Sequence, residues 1–153
     1  MNKTKYIFTF IFDPVFICAW IIMLFNDFYL KPSLKFPLLA GKLSDFAILT
    51  FLPSIIALAI LYLKLIINLI FKKNFDVNLN KKIIISSILI AGVLYSLIKI
   101  SPLFNGLFFT ILNKVNILKP FFPLLGGVID SSDLIALPFL FLSYLRMKGY
   151  VKE

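Results

Sequence analysis

The sequence predicts an all-α membrane protein with about four transmembrane helices, arranged as two tandem two-helix repeats with re-entrant or interfacial elbows on the outer side. Three observations predict this fold. Apolar residues make up 61% of the 153 residues, whereas a soluble domain is about 45–50% apolar. Apolar runs alternate with lysines and prolines, and the length suits about four crossings of ~20 residues each. One Pro/Gly-rich motif occurs twice, and we expect residues 1–153 to form a single membrane domain.

Charge and residue types exclude several function classes. The net charge is +9, but the basic residues lie at the short ends of apolar runs, which favours a role in topology over nucleic-acid binding. The chain has one cysteine and no histidine. It therefore lacks the commonest metal ligand and the side chain that usually acts as a base near neutral pH. We expect no metal, no cofactor and no nucleic-acid partner.

The first span is predicted over residues 14–30. Asp13 is placed as a helix N-cap and Pro14 at the first helical position, where its missing N–H costs nothing. Residues 3–12 then form a short helix or arm at the interface. We expect this arm to be retained, because no small-residue cleavage site follows it.

Three further spans are predicted over residues 44–71, 83–100 and 130–146. Pro53 is expected to kink the second of them. Residues 103–118 are apolar but contain three asparagines and a lysine, which would be costly facing lipid at mid-bilayer. An interfacial helix is therefore favoured there over a fifth span.

The basic residues predict the orientation. Ten lie on the side of the termini and of the polar loop at residues 72–82: Lys3, Lys5, Lys64, Lys72, Lys73, Lys81, Lys82, Arg146, Lys148 and Lys152. Six lie on the other side: Lys31, Lys35, Lys42, Lys99, Lys114 and Lys119. Basic residues favour the cytoplasmic side, so we expect both termini and the 72–82 loop in the cytoplasm.

The recurring motif predicts an internal duplication. Residues 30–41 (LKPSLKFPLLAG) recur, with two residues deleted, as residues 118–127 (LKPFFPLLGG). Each copy is followed by a Ser-Asp pair. Two spans in each half give both halves the same orientation, so a pseudo-twofold axis along the membrane normal would bring the copies together on the outer side.

The motif copies and their flanks hold the candidate polar site. Its members are Asp27, Lys31, Lys42, Ser44, Asp45, Lys119, Asp130, Ser132 and Asp133. The predicted elbows, which are the Pro/Gly segments that dip between spans, contain Pro37, Gly41, Pro123, Gly126 and Gly127. Lys42 and Asp45 have the spacing of a helical ion pair. Asp130 and Asp133 share a helix face and, as neighbouring acids, are able to hold a proton or a cation.

A simpler interpretation stays open for the same residues. Asp130 would be an N-cap with Asp133 in the first turn, and Lys42 or Ser44 would simply begin the second helix. Asp27 would mark the end of the first span, where an acid is unfavourable and needs a partner such as Lys31, four residues on.

Small residues form a stripe in the third span. Ser86, Ser87, Gly92 and Ser96 recur at roughly helical spacing. Such a stripe is typical of a helix packing face, and a pore lining is the alternative.

Two blocks carry a resemblance to a known group. They are Asn26-Asp27 with the sequence GKLSDFA at residues 41–47, and the segment 130–138 with Asp130 and Asp133. They resemble uncharacterised small bacterial integral membrane proteins with a GKLSDFA-like block between the first two spans. The resemblance covers most of the chain and implies a bacterial inner-membrane protein, without implying an activity. A fainter likeness to the VanZ-type family transfers no residue role, because that family has a histidine after its lysine.

Two function classes follow from these observations, with an enzyme as a third. The chain is either a non-catalytic membrane component, partner subunit or membrane-perturbing effector, or a small-solute or ion transporter or channel using paired Asp and Lys at the repeat interface. An enzyme on lipid-linked substrates would use Asp45 as base and Lys42 as stabiliser, but no recognised constellation accompanies them. The expected partners are the lipid bilayer and either a second copy or another membrane protein.

Overall fold

All the regular structure in the described residues is helical. A computed structural model of the chain describes residues 9–31, 37–115 and 128–151. The α-helices are α1 (Pro14–Phe25), α2 (Pro37–Phe71), α3 (Lys81–Ile100), α4 (Pro102–Val115) and α5 (Phe139–Lys148), with 3₁₀ helices at Thr9–Phe12 and Ser131–Ala136 and a π-helical segment at Asn26–Leu30. No strand occurs in these ranges, so the all-α prediction is confirmed for them.

Two of the described helices are long and apolar enough to cross a membrane. They comprise Gly41–Phe71 of α2 and the whole of α3, Lys81–Ile100. With a rise of about 1.5 Å per residue, the full α2 is about 52 Å long and α3 about 30 Å. The hydrocarbon core of a bilayer is about 30 Å thick, so α3 matches it and α2 exceeds it. The apolar helical stretch Pro14–Leu30 is shorter.

α1 starts where the sequence predicts, at Pro14. The Asp13 carboxylate accepts a hydrogen bond from the Val15 amide at 2.9 Å, and Pro14 occupies the first helical turn. Both the predicted cap and the role of the proline are confirmed. The helix then passes into the π-helical segment, where the Lys31 amide bonds to the Asn26 carbonyl five residues back.

α2 begins earlier than the sequence predicts. It starts at Pro37 and runs through Gly41, where an elbow is predicted, so this part of the first elbow is helical. Proline suits the first turn of a helix, and a helical glycine costs only about 1 kcal/mol, which a long helix tolerates. The helix also continues through Pro53 and ends before Lys72, which has a positive φ of 50°. The second elbow, Pro123, Gly126 and Gly127, lies outside the described residues.

The last predicted span is interrupted. Residues 130–146 are predicted as one helix, but a 3₁₀ helix ends at Ala136 and α5 begins at Phe139. Pro138 has no N–H to donate, and the amides of Leu140 and Phe141 bond three residues back rather than four. With ten residues, α5 is only about 15 Å long.

The predicted interfacial segment is helical up to Val115, as α4 shows. Its position relative to a membrane stays a prediction.

The start of α4 depends on Asn105. Pro102 has no N–H to donate to the Ile98 carbonyl four residues back. The side-chain Nδ2 of Asn105 donates to that carbonyl instead, at 3.0 Å. Asn105 is buried. The side chain therefore replaces the backbone bond that the proline removes.

The chain divides into two units. Unit 1 contains Met1–Gly92 and Ala136–Glu153, and unit 2 contains Val93–Ile135. In unit 1, α2 packs against both α1 and α5. Its apolar cluster includes Phe10, Phe16, Ala47, Leu61, Ile84 and Met147, and Val77, Leu79 and Val151 pack against it. The N-terminal turn, the loop before α3 and the C-terminal turn thus share one core.

Part of the predicted small-residue stripe packs against protein. Ser87 is fully buried, and a Cβ on Gly92 would lie 3.1 Å from the Leu140 side chain of α5. Ser86 is exposed. The close approach of α3 and α5 therefore uses Gly92, as a packing face requires.

Replacing Asn105 with alanine should lower the free energy of unfolding by about 1 kcal/mol, because the partly buried Ile98 carbonyl would lose its donor. Chemical unfolding in detergent, followed by circular dichroism, measures the change. Thr110→Ala, at an exposed polar position of α4, is the matched control and should stay within about 0.5 kcal/mol of the parent. Equal losses in the two variants would contradict this role of Asn105.

Candidate functional site

Three polar clusters bring charged side chains together in the described residues. The Asp27 cluster comprises Asn26, Asp27, Lys31 and Ser44; the Asp13 cluster comprises Asp13, Arg146 and Tyr150; the Asp133 cluster comprises Tyr95, Lys99 and Asp133. The first two belong to unit 1 and the third to unit 2.

The Asp27 cluster joins the end of the first helical stretch to α2. The Ser44 hydroxyl donates to Asp27 Oδ1 at 2.6 Å and accepts from Asn26 Nδ2 at 2.6 Å. Lys31 Nζ lies 2.7 Å from the same Asp27 oxygen. Three of the predicted site residues, Asp27, Lys31 and Ser44, therefore meet here.

The local helix geometry explains this arrangement. Asp27 lies in the π-helical segment and Lys31 follows it at i+4, so the two side chains are on the same face. Lysine at a helix C-terminus is favoured by the helix dipole and offsets the unfavourable acid. The side chains of Lys31 and Asp27 are 44% and 43% exposed, so the pair contributes at most about 1 kcal/mol.

Lys42 and Asp45 lie in α2 on either side of Ser44 in sequence. Neither residue begins the helix, because α2 starts at Pro37. Asp45 is 8% exposed and Lys42 is half-buried. The Asp45 side chain is therefore covered by protein, as expected of a charged group on an apolar helix.

In the Asp133 cluster, Lys99 neutralises the charge of Asp133, which is one of the predicted site residues. Lys99 Nζ is 2.5 Å from Asp133 Oδ2, and both side chains are largely buried. Tyr95 donates its hydroxyl proton to the Asp133 backbone carbonyl at 3.1 Å, and Lys99 Nζ lies 5.6 Å from the centre of the Tyr95 ring. Sequence reasoning placed Lys99 only among the outer basic residues. The i, i+4 spacing of Tyr95 and Lys99 was the signal available.

Asp130 acts as a cap. Its carboxylate accepts from the Ser132 amide at 2.9 Å, and its carbonyl accepts from the Asp133 amide at 3.1 Å. This is the simpler interpretation that the sequence left open. Lys119 lies outside the described residues. A single site shared by both motif copies stays a prediction, because the second copy is not described.

The Asp13 cluster is the site that sequence reasoning missed. Arg146 donates from Nε to both Asp13 oxygens at 3.2 Å and from Nη2 to Oδ2 at 2.8 Å. The Tyr150 hydroxyl donates to Oδ2 at 3.0 Å. Asp13 is completely buried, whereas the Arg146 side chain is 42% exposed. The signal in the sequence was an aspartate directly before an apolar helix, where a charge needs a partner, but nothing local identifies Arg146.

Ionisation of the Asp13 cluster follows from these bonds. Burial by itself raises the pKa of the Asp13 carboxyl, but hydrogen bonds from Arg146, the Val15 amide and Tyr150 outweigh it and hold the pKa below its usual value. Burial, followed by the hydrogen bond to Asp13, raises the pKa of the Tyr150 phenol. Asp13 is therefore charged and Tyr150 neutral near pH 7.

The described residues offer little to a metal ion. No three of their His, Cys, Asp or Glu side chains come together in a metal-binding group. Each cluster contains one carboxylate side chain beside one cation. Such pairs can bridge helix ends without adding net charge, which is a structural role.

Replacing Arg146 with glutamine should lower the stability of the fold clearly more than replacing an exposed, unpaired cation does, because it leaves the buried Asp13 carboxylate without its cation. Thermal unfolding of the detergent-solubilised protein measures the loss. Lys148→Gln, an exposed cation on the same helix, is the matched control and should change stability little. A loss no larger than that of the control would contradict the assignment.

The Asp13 carboxylate should also make the fold acid-sensitive. Its folded-state pKa lies below the unfolded value of about 3.9, so its contribution is complete above that pH and is lost as the pH falls through the folded pKa. Unfolding midpoints measured from pH 6 down to pH 2 should fall less in Asp13→Asn than in the parent. Parallel curves for the two proteins would contradict the prediction.

Comparisons of this chain with protein-family models, with curated proteins and with solved structures give no match. Its function is therefore inferred from its own residues and contacts.

Proposed function

We propose that this chain is a multi-pass protein of the bacterial cytoplasmic membrane that acts as a non-catalytic membrane component or partner subunit. It would cross the membrane about four times, with both termini in the cytoplasm. The observation that carries this proposal is the surface of its helices. They expose large apolar side chains along their length, while the acids of the three clusters are each paired with a cation.

Large apolar side chains are exposed on three of the helices. They are Ile17, Trp20, Ile21, Ile22 and Phe25 on α1; Ile55, Tyr62, Leu63, Ile66, Leu69, Ile70 and Phe71 on α2; and Ile85, Leu89, Ile90, Val93, Leu94 and Ile100 on α3. Residues 83–98 contain no charged residue. Soluble monomers rarely expose large apolar patches, whereas lipid-facing helices expose apolar side chains along their length.

Packing within unit 1 supports the proposed topology. The Asp13 cluster links the start of α1 to the end of α5. The loop before α3 packs against the same apolar cluster through Val77 and Leu79. A position of these segments on the same side of the membrane agrees with the excess of basic residues in them.

The last crossing in this proposal is discontinuous. It consists of the 3₁₀ helix Ser131–Ala136 followed by α5. Broken helices occur within membranes where protein covers the freed backbone groups. The proposal therefore tolerates the interruption at Pro138.

The alternative function is a small-solute or ion transporter. It is favoured by the Asp27 cluster, whose charged side chains are more than 40% exposed and whose carboxylate accepts a hydrogen bond from Ser44. Asp45, one residue beyond Ser44, adds a buried carboxylate. A solute entering from the outer side would meet these groups first.

A single-cysteine variant should report the loop as cytoplasmic. In a Cys18→Ser background, Asn78→Cys should resist a membrane-impermeant maleimide in intact cells and react in inverted membrane vesicles. Asn78 is chosen because it lies in the polar loop before α3. Labelling from outside intact cells would contradict the orientation, and release of the protein from membranes at alkaline pH would contradict the membrane proposal itself.

Purified protein in liposomes should give no proton flux above that of protein-free liposomes. A pH-sensitive dye inside the liposomes measures proton entry under an imposed potential. The Asp27→Asn/Lys31→Gln double variant is the control, because this exposed pair contributes little to stability. Flux in the parent that the double variant lacks would replace the main proposal by the transporter alternative.

A further inference from the structure

We infer that a groove between α1, α2 and α5 binds one acyl chain of an anionic phospholipid whose phosphate contacts Arg146. The inference rests on the proposed membrane location and adds a ligand to it. The groove lies within unit 1 and has a volume of about 380 Å³. Its walls include Cys18 and Ile22 of α1, Ala47 and Thr50 of α2, and Phe139 and Leu142 of α5.

The side chains that line the groove are mainly apolar and therefore favour an apolar ligand. The one hydroxyl among these side chains, on Thr50, donates to the Phe46 carbonyl at 2.9 Å within its own helix. Apolar cavities stay free of ordered water, so the groove is filled favourably by hydrocarbon. Its volume lies at the low end of small-molecule sites, which are about 300–1,000 Å³. A chain of methylenes fits this space, whereas a helix about 10 Å across does not.

The width of the groove comes from two small residues. Ala19 of α1 and Ala47 of α2 both line it and are both buried. Phe46 and Phe139 stack at a ring-centre distance of 4.7 Å and form a firm wall. The space is therefore built by packing between helices and does not depend on a surface loop.

The positively charged side chain of Arg146 lies near one end of the groove. Phe139, Leu142 and Arg146 follow the i, i+3, i+7 spacing of one helix face, so Arg146 lies one turn beyond the apolar wall. On the opposite side, Pro14 lines the groove directly after Asp13, the residue that binds Arg146. The groove therefore ends at the Asp13 cluster.

Arg146 retains capacity for an anion. Among the described residues, Asp13 is the acceptor that the guanidinium contacts, through Nε and Nη2. The Nη1 group carries two further donors, and 42% of the side chain is exposed. Arginine binds phosphate well because its planar donors match the phosphate oxygens. With a chain net charge of +9, an anionic headgroup is favoured over a zwitterionic one.

Native mass spectrometry of the delipidated full chain in mild detergent tests this. Titration with phosphatidylglycerol should give one bound lipid per chain, with higher affinity than phosphatidylcholine. Leu142→Trp fills the groove and should weaken binding at least about tenfold, because excluding two chain methylenes has an effect of that size. Leu145→Trp, exposed on the same helix but outside the groove, is the matched control and should bind as the parent does.

A second pair of variants distinguishes a loss of binding caused by filling the groove from one caused by misfolding of a single variant. Ile22→Trp fills the groove from α1, and Ile21→Trp, its exposed neighbour outside the groove, is its control. Unaltered lipid binding in both groove variants would overturn the inference, as would equal affinities for the two lipids or protein dimers in place of lipid adducts. These outcomes are separate from failure of the membrane proposal, which release from membranes at alkaline pH would reveal.

Discussion

The Asp13 carboxylate is fully buried, and a buried charge is stable only if another group neutralises it. Arg146 neutralises it and Tyr150 donates a hydrogen bond to it, both from the far end of the chain. The cap of α1 and the end of α5 are consequently held in one place, and α5, only ten residues long, is anchored by more than its own packing. The groove between α1, α2 and α5 also ends at this contact.

The same constraint governs the other charged groups on the helices. Asp27 is neutralised by Lys31 and bridged to α2 by Ser44, and Asp133 is neutralised by Lys99. A lone charge on an apolar helix would be costly in a membrane, whereas a close pair contributes no net charge. Pairing of this kind would let helices keep polar groups and still expose apolar faces to lipid, and it therefore supports the proposed role as a membrane component.

The local features were predictable and the distant ones were not. The all-α class, the Asp13 cap and the Asp27–Lys31 pair follow from composition and from spacings within one or two turns. The bond between Asp13 and Arg146 joins the two ends of the chain, and no helical period relates them. Proline was the main source of error, because Pro37 begins a helix where an elbow is predicted, and the chain breaks at Pro138 where a continuous helix is predicted. The position of Pro53 inside α2 agrees with the prediction, and the kink there stays a prediction.

If the Asp13–Arg146 pair, rather than either residue alone, holds the ends of unit 1 together, the effects of replacing the two residues are not additive. A double-mutant cycle with Asp13→Asn, Arg146→Gln and the combined variant, measured by chemical unfolding in detergent, tests this. The expected result is a coupling free energy within the range of about 0.5–3 kcal/mol found for residues in contact. A coupling below about 0.5 kcal/mol, as found for independent sites, would contradict it.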